Sequence, residues 1–316
     1  MKTIFKTAAI LFSLLTGGTA LSATGSAAEN NAADMTPRYI EFSAKNGTEP
    51  PAELKSYKIL FVPGFLSNIY DFSRAGVSRQ LYFSAQIADL RRNGLDAVLV
   101  GTNGAGLPRE NAKIILEAVS ASTAPVIIIA HSKGGIDSLE ALLSYKETRK
   151  KVKGLVTIQT PFFGSEIADA ILERKTLSEK AGSLLKKLGG DRETLSSLGT
   201  KSRKEYYASR REKIGKLTDA IPVLSFATRL NKTTPLRPLG DYLAGKGLES
   251  DGLVPVRSTL LPGTKHILID ECDHAMTVFR VPYGDLDKTA MVMALLKIEL
   301  ELIDTGKTTV LTGSRP

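Results

Sequence analysis

Cysteine and histidine are nearly absent from this chain, and no apolar run is long. One cysteine among 316 residues, Cys272, excludes an intramolecular disulfide, so the fold must be held by its core. Apolar stretches fall short of the ~20 residues that span a bilayer, so no transmembrane segment is expected. Only three histidines occur, His131, His266 and His274, and any imidazole base must be one of them. Nucleic-acid motifs are missing, and aromatic residues interleave with basic ones only at Tyr206-Tyr207, which argues against a nucleic-acid partner.

What is present begins with an export-like segment. Lys2 and Lys6 precede an apolar run from Ala8 to Leu15 and then a Gly/Ser/Thr/Ala-rich tract. This pattern predicts a signal peptide over 1–28, cut after Ser26-Ala27-Ala28 or, as the rival, near Ala23. With no disulfide, a secreted or periplasmic bacterial protein is expected. Removing 1–28 takes two of the 42 Lys/Arg and none of the 33 Asp/Glu, so +9 becomes +7. Residues 174–216 hold 13 Lys/Arg against 5 Asp/Glu, a local +8 that leaves the rest nearly neutral. The spacing favours a solvated helical face; attraction to anionic lipid is the alternative.

Short Val/Ile/Leu-rich runs alternate with helical patterns. Strands are expected at Lys58–Val62, Ala97–Val100, Val126–Ala130, Leu155–Ile158, Ile221–Phe226 and His266–Ile269, with Tyr39–Phe42 as an added edge strand. Helices are expected at Phe72–Arg92, Arg109–Val119, Gly135–Tyr145 and Leu286–Ile303. Such alternation predicts an α/β fold with a mainly parallel sheet, helices on both faces and one domain over 29–316. The rhythm breaks at about 172–220, a Leu/Lys/Ser-rich helical insertion in which Leu184, Leu185 and Leu188 form a stripe ended by Gly189-Gly190.

The chemistry is concentrated at Val126-Ile127-Ile128-Ile129-Ala130-His131-Ser132-Lys133-Gly134-Gly135. An apolar strand runs into a serine between small residues, and Ile136, Leu139, Leu142 and Leu143 continue at helical spacing. A strand, a sharp turn and a helix make a nucleophile elbow, with Ala130 and Gly134 at the small positions. The helix N-terminus favours negative charge developing at Ser132.

A serine nucleophile needs a base, an orienting carboxylate and oxyanion donors. His274 follows a strand by a short loop, where open α/β sheets place their chemistry, with His266 the outside choice. His131 adjoins the serine and points elsewhere, a structural role. Asp251, in Ser250-Asp251-Gly252, precedes the histidine and completes the chain order Ser, Asp, His; Asp270 and Asp241 are rivals, and Asp273 is too near His274 to reach its ring. One oxyanion donor is expected at the backbone of Lys133. The other is expected at Phe65, with Leu66 second, in the Pro63-Gly64-Phe65-Leu66 bend. Cys272 reads as a small buried hydrophobe.

These residues resemble the bacterial lipase branch of the α/β-hydrolase superfamily. Thr160-Pro161-Phe162-Phe163-Gly164-Ser165-Glu166-Ile167-Ala168-Asp169 is similar to that branch's Gly-Ser segment, and Ser250-Asp251-Gly252-Leu253-Val254-Pro255 to its acid loop. Phe162 or Phe163 stands at the family's histidine, and Pro63 where His-Gly is common. The branch's calcium aspartate is missing after His274, where Ala275-Met276-Thr277-Val278 follows, so neither metal nor cofactor is expected. The resemblance assigns the insertion a lid's role, and apolar Phe65, Leu66, Phe162 and Phe163 imply a pocket for acyl chains. It therefore implies a secreted hydrolase of carboxylic, lipid-like esters, meeting lipid interfaces through the basic lid. An acyltransferase, amidase or polyester depolymerase would use the same scaffold, and a non-catalytic binding protein or chaperone is the remaining class.

Overall fold

The computed structural model describes residues 33–44, 49–65, 67, 82–173 and 192–312, with side chains as far as 306. The signal-peptide segment, Leu66 and the Leu184–Leu188 stripe lie outside the described residues. Six strands form one sheet: β1 (Lys58–Val62), β2 (Asp96–Leu99), β3 (Val126–His131), β4 (Val152–Ile158), β5 (Val223–Thr228) and β6 (Lys265–Ile269). Their spatial order is β2-β1-β3-β4-β5-β6, and every pairing is parallel. The expected strands sit within a few residues of these. β5 starts at Val223 because Pro222 has no N–H for the ladder; its carbonyl accepts from Leu155 instead.

Parallel neighbours need crossovers. The crossovers contain α2 (Ser84–Arg92), α3 (Pro108–Ser120), α4 (Lys133–Ser144), α5 (Lys146–Lys151), α6 (Glu166–Glu173), α7 (Arg192–Ser196), α8 (Thr200–Ala220), α9 (Arg237–Ala244) and α10 (Val256–Thr259), while α1 (Thr36–Ala44) precedes β1 and α11 (Lys288–Thr312) follows β6. Alternate strand residues point to opposite faces. Ile59, Phe61, Ile127, Ile129, Val156 and Ile158 therefore join one core with α1, α2 and α11. Leu60, Val62, Ile128, Ala130, Leu155 and Val223 join the other with α3, α4 and α8. Each such aliphatic side chain contributes about 1.5–3 kcal/mol over leaving it exposed.

Three expectations are corrected. Tyr39–Phe42 is not an edge strand but part of α1. Met35, Tyr39 and Phe42 pack on the core at helical spacing while Ile40 stays 57% exposed, a pattern of period 3.6. The helix expected from Phe72 begins only at Ser84; Phe83, with φ 55°, forms a turn before it, and residues 72–81 lie outside the described set. The C-terminal helix runs Lys288–Thr312, continuing past the expected end at Ile303.

One polar group interrupts the apolar face of α11. Glu299 is fully buried, and its Oε1 accepts the Leu155 N–H at 2.9 Å, a donor shared with the Pro222 carbonyl at 3.1 Å. The contact falls beside the irregularity in the β3–β4 register, where Val126 pairs with Val152 but Ile127 with Gly154. Burial pushes the Glu299 carboxyl up to about 8.

Candidate active site

The chain runs from β1 outward to β2 and back past β1 to β3, so the strand order reverses between β1 and β3. Open α/β sheets bind ligands beyond the carboxyl ends of the strands at such a switch point. The segment after β1 and the turn after β3 meet there. Ser132 occupies that turn at φ 54°, ψ −129°, a conformation costing a non-glycine residue about 1–3 kcal/mol. It is held by the Ser132 N–H on the Ile158 carbonyl at 2.8 Å and the Gly135 N–H on the Ser132 carbonyl at 3.0 Å. A Cβ on Gly134 would come within 2.4 Å of the Val62 carbonyl, so only glycine lets α4 start this close to β1.

A Cβ on Gly64 would lie 2.8 Å from the Ser132 Cβ, which puts the loop after β1 directly against the serine. Phe65 is the next residue and is half-buried, in the third apolar cluster with α6 and α9. Lys133 opens α4, its backbone at the helix N-terminus. Its side chain is wholly buried, with Nζ donating to both oxygens of Asp137, at 2.9 and 2.8 Å. The Asn111 amide donates to the same carboxylate at 2.7 Å. Burial raises the Asp137 pKa, against the pull of the ammonium and the amide.

His274 and Asp251 are brought together. His274 Nδ1 lies 2.7 Å from Asp251 Oδ2, and the His274 N–H donates to the Asp251 carbonyl at 3.0 Å. Asp251 is fully buried, and its Oδ1 accepts the N–H groups of Leu253 at 2.8 Å and Val254 at 2.7 Å. An ionised carboxylate so placed accepts through both oxygens and fixes the imidazole.

The rival residues are engaged elsewhere. Asp270 pairs with Arg229 and Asp241 with Arg237, all at partly exposed positions. Asp273 accepts from the Ala275 and Met276 N–H groups in its own turn. The His266 carbonyl accepts from Met35 at the amino-terminal end of β6. Cys272 is buried, and desolvation pushes its thiol pKa up, away from nucleophilic use.

His131 links the parts. Its ring centroid is 4.6 Å from that of His274, which places the imidazole of the second loop beside the serine turn. Its Nδ1 lies 2.5 Å from the Tyr82 hydroxyl and its Nε2 3.0 Å from Gln159 Oε1. Gln159 Oε1 also accepts the Thr277 hydroxyl at 2.8 Å, while its Nε2 donates to Thr228 Oγ1 at 2.6 Å and the Asp273 carbonyl at 3.2 Å. With that amide orientation, His131 donates from Nε2 and Tyr82 donates to Nδ1; the Tyr82 oxygen accepts the Gly64 N–H at 3.0 Å. Burial, with His274 adjacent, holds the His131 pKa well below its ordinary value, so the ring is neutral. Sequence reasoning missed Tyr82 and Gln159. The only signal for Gln159 was its position at the carboxyl end of β4, where it takes φ 51°.

Phe162 and Phe163 separate. Phe162 is 1% exposed, its side chain inside the second core, and its carbonyl accepts Arg203 Nε at 3.1 Å. Phe163 is half-buried, its ring 4.9 Å from Tyr207, and it lines a cavity of about 250 Å³ with Gly164, Thr200, Lys204 and Arg257. Among the described residues no cluster of His, Cys, Asp and Glu is arranged to hold a metal ion. No described helix is long and apolar enough to cross a membrane.

No protein-family model and no curated protein matches the chain. Solved structures do. A metagenomic carboxyl esterase superposes with a TM-score of 0.71 at 21% identity, covering 89% of this chain and 97% of its own. A Bacillus licheniformis lipase in its mature form gives 0.56 at 22% identity, with 82% and 93% covered. Lipase 1 of Pelosinus fermentans gives 0.50 at 13% identity, with 77% and 98% covered. The parallel sheet, the strained turn after β3 and this likeness define an α/β-hydrolase fold.

Proposed function

We propose that the chain is a serine hydrolase of carboxylic esters, with lipid acyl esters as the substrate class. The observation that carries this reading is the buried Asp251–His274 pair, lying against the residue that precedes the strained Ser132. In this reading His274 Nε2 accepts the Ser132 hydroxyl proton as the hydroxyl oxygen attacks the ester carbonyl. The backbone N–H groups of Lys133 and Phe65 receive the oxyanion. The tetrahedral intermediate collapses, His274 returns the proton to the leaving alcohol, and an acyl-Ser132 remains. Water, deprotonated by the same imidazole, then releases the acid. Asp251 holds the ring with Nε2 toward the serine and stabilises the imidazolium.

The half-buried Phe65 and the apolar cluster it joins support an acyl rather than a polar pocket. The charged-then-apolar opening segment supports export, and the basic insertion supports contact with lipid surfaces as a lid. A fluorophosphonate probe tests the central claim. Folded wild type is expected to label and Ser132→Ala not to, with p-nitrophenyl ester hydrolysis lost in the variant. An unlabelled wild type, or full activity in Ser132→Ala, would remove it.

A further inference from the structure

The long basic helix α8 carries one residue that a solvated face does not explain. Arg203 is 3% exposed. Its Nε donates to the Phe162 carbonyl at 3.1 Å, and its guanidinium lies over the Tyr206 ring at 4.2 Å. Among the described residues no hydrogen-bond acceptor faces its two terminal nitrogens. Burial lowers its pKa only to about 10, against the attraction of Tyr206, Glu140 and Asp137, so it is a cation at neutral pH. The donor hydrogens that the protein leaves unpaired on this largely buried guanidinium are open to water or to an anionic ligand.

Arg203 lines a cavity of about 320 Å³ between α3, α4, α7 and α8. The Arg210 guanidinium also lies over the Tyr206 ring, at 4.2 Å, and Arg109, Ser196 and Ser202 complete the donor wall. The acids of the cavity are already engaged. Glu140 accepts the Tyr206 hydroxyl at 2.6 Å and the Ser144 hydroxyl at 2.6 Å, and Glu193 pairs with Arg109 at 3.1 Å. Three arginines against two carboxylates leave the wall positive. We propose that this cavity, where the unmatched Arg203 nitrogens meet Arg210 and Ser202, binds a phosphate-class oxyanion. Planar guanidinium forks match tetrahedral oxyanions, and the hydroxyls supply donors without charge.

The site is not the ester site. Glu140 lies eight residues along α4 from Ser132, about 12 Å at 1.5 Å per residue. Its occupant is either free phosphate or the phosphate of a lipid headgroup, and the two are separable. Calorimetric titration of the full chain with inorganic phosphate, against sodium chloride of equal ionic strength, reads the first. Co-flotation with phosphatidylcholine vesicles, with and without phosphatidic acid, reads the second. Saturable binding of either probe is expected. Arg210→Gln, at the rim and without a structural bond to the core, should weaken it about tenfold. Arg203→Lys, which keeps the charge but not the fork, should remove the preference for phosphate over chloride. Vesicle binding lost in these variants assigns the headgroup; phosphate binding alone assigns the free anion. Failure of wild type to bind either probe, or equal binding by wild type and Arg210→Gln, overturns the proposal. Fluorophosphonate labelling of Ser132 should be the same in Arg210→Gln and wild type, so the outcome is independent of the hydrolase reading.

Discussion

Glu299 gives this protein a pH-dependent stability that can be isolated with one substitution. The carboxyl is fully buried, one oxygen has only the Leu155 N–H and the other has no partner among the described residues. Unfolded, it titrates at 4.5; folded, burial holds it at about 8. Between those values the native state keeps a proton that the unfolded chain has released. The group's stabilising contribution is therefore complete below pH 4.5, falls as pH rises toward 8, and is flat beyond. At 1.36 kcal/mol per pH unit, the full span amounts to a loss on the order of 5 kcal/mol. Glu299→Gln keeps an acceptor for Leu155 and cannot ionise. Urea unfolding followed by circular dichroism at pH 5, 7 and 9 should show wild type and variant similar at pH 5. They should diverge upward, with the variant the more stable at pH 9 by several kcal/mol. Other titrating groups are common to both proteins and cancel in the difference. Parallel curves from pH 5 to 9 would refute the reasoning, because they would mean that the carboxyl ionises in the native state without penalty.

Further outcomes follow from the site. Asp251→Asn retains an oxygen for Leu253 and Val254 but presents the wrong partner to His274; kcat on p-nitrophenyl esters should fall about 10⁴-fold, the template cost of a mis-set tautomer, with the melting transition nearly kept. Lys133→Met strands the buried Asp137 charge and should cost about 3–5 kcal/mol by urea unfolding, while the double variant with Asp137→Leu should recover most of it. A double variant no more stable than Lys133→Met would show that the pair is not the source of the loss. Cys272 should resist iodoacetamide in the native state and react only once urea exposes it; prompt native labelling would contradict its burial.

Much of this was legible in order along the chain. The strands were readable because runs such as Val126–Ile129 are apolar on both faces, the mark of a buried parallel sheet. The pairing of Asp251 with His274 could be anticipated because only three histidines exist and the candidate acid precedes the candidate base in the chain. Tyr39–Phe42 was misread because four residues are too few to separate period 2 from period 3.6; only the burial of Met35 against exposed Ile40 decides it. Arg203 was hidden among the thirteen basic residues of 174–216, where a single inward-facing charge has no periodic signature. Tyr82 and Gln159 were not readable, since their partners lie 49 and 28 residues away.

The hub around Gln159 has a kinetic consequence. Its amide ties the end of β4 to Thr277, 118 residues on, to the Asp273 carbonyl, 114 on, and to Thr228, 69 on. Contacts so distant in sequence form only after much loop-closure entropy has been spent. This corner of the molecule therefore has no local nucleus and is assembled among the last parts of the molecule during refolding. Recovery of fluorophosphonate reactivity should trail recovery of helical signal, and a chain emerging from synthesis would remain inert until residues beyond Thr277 are available.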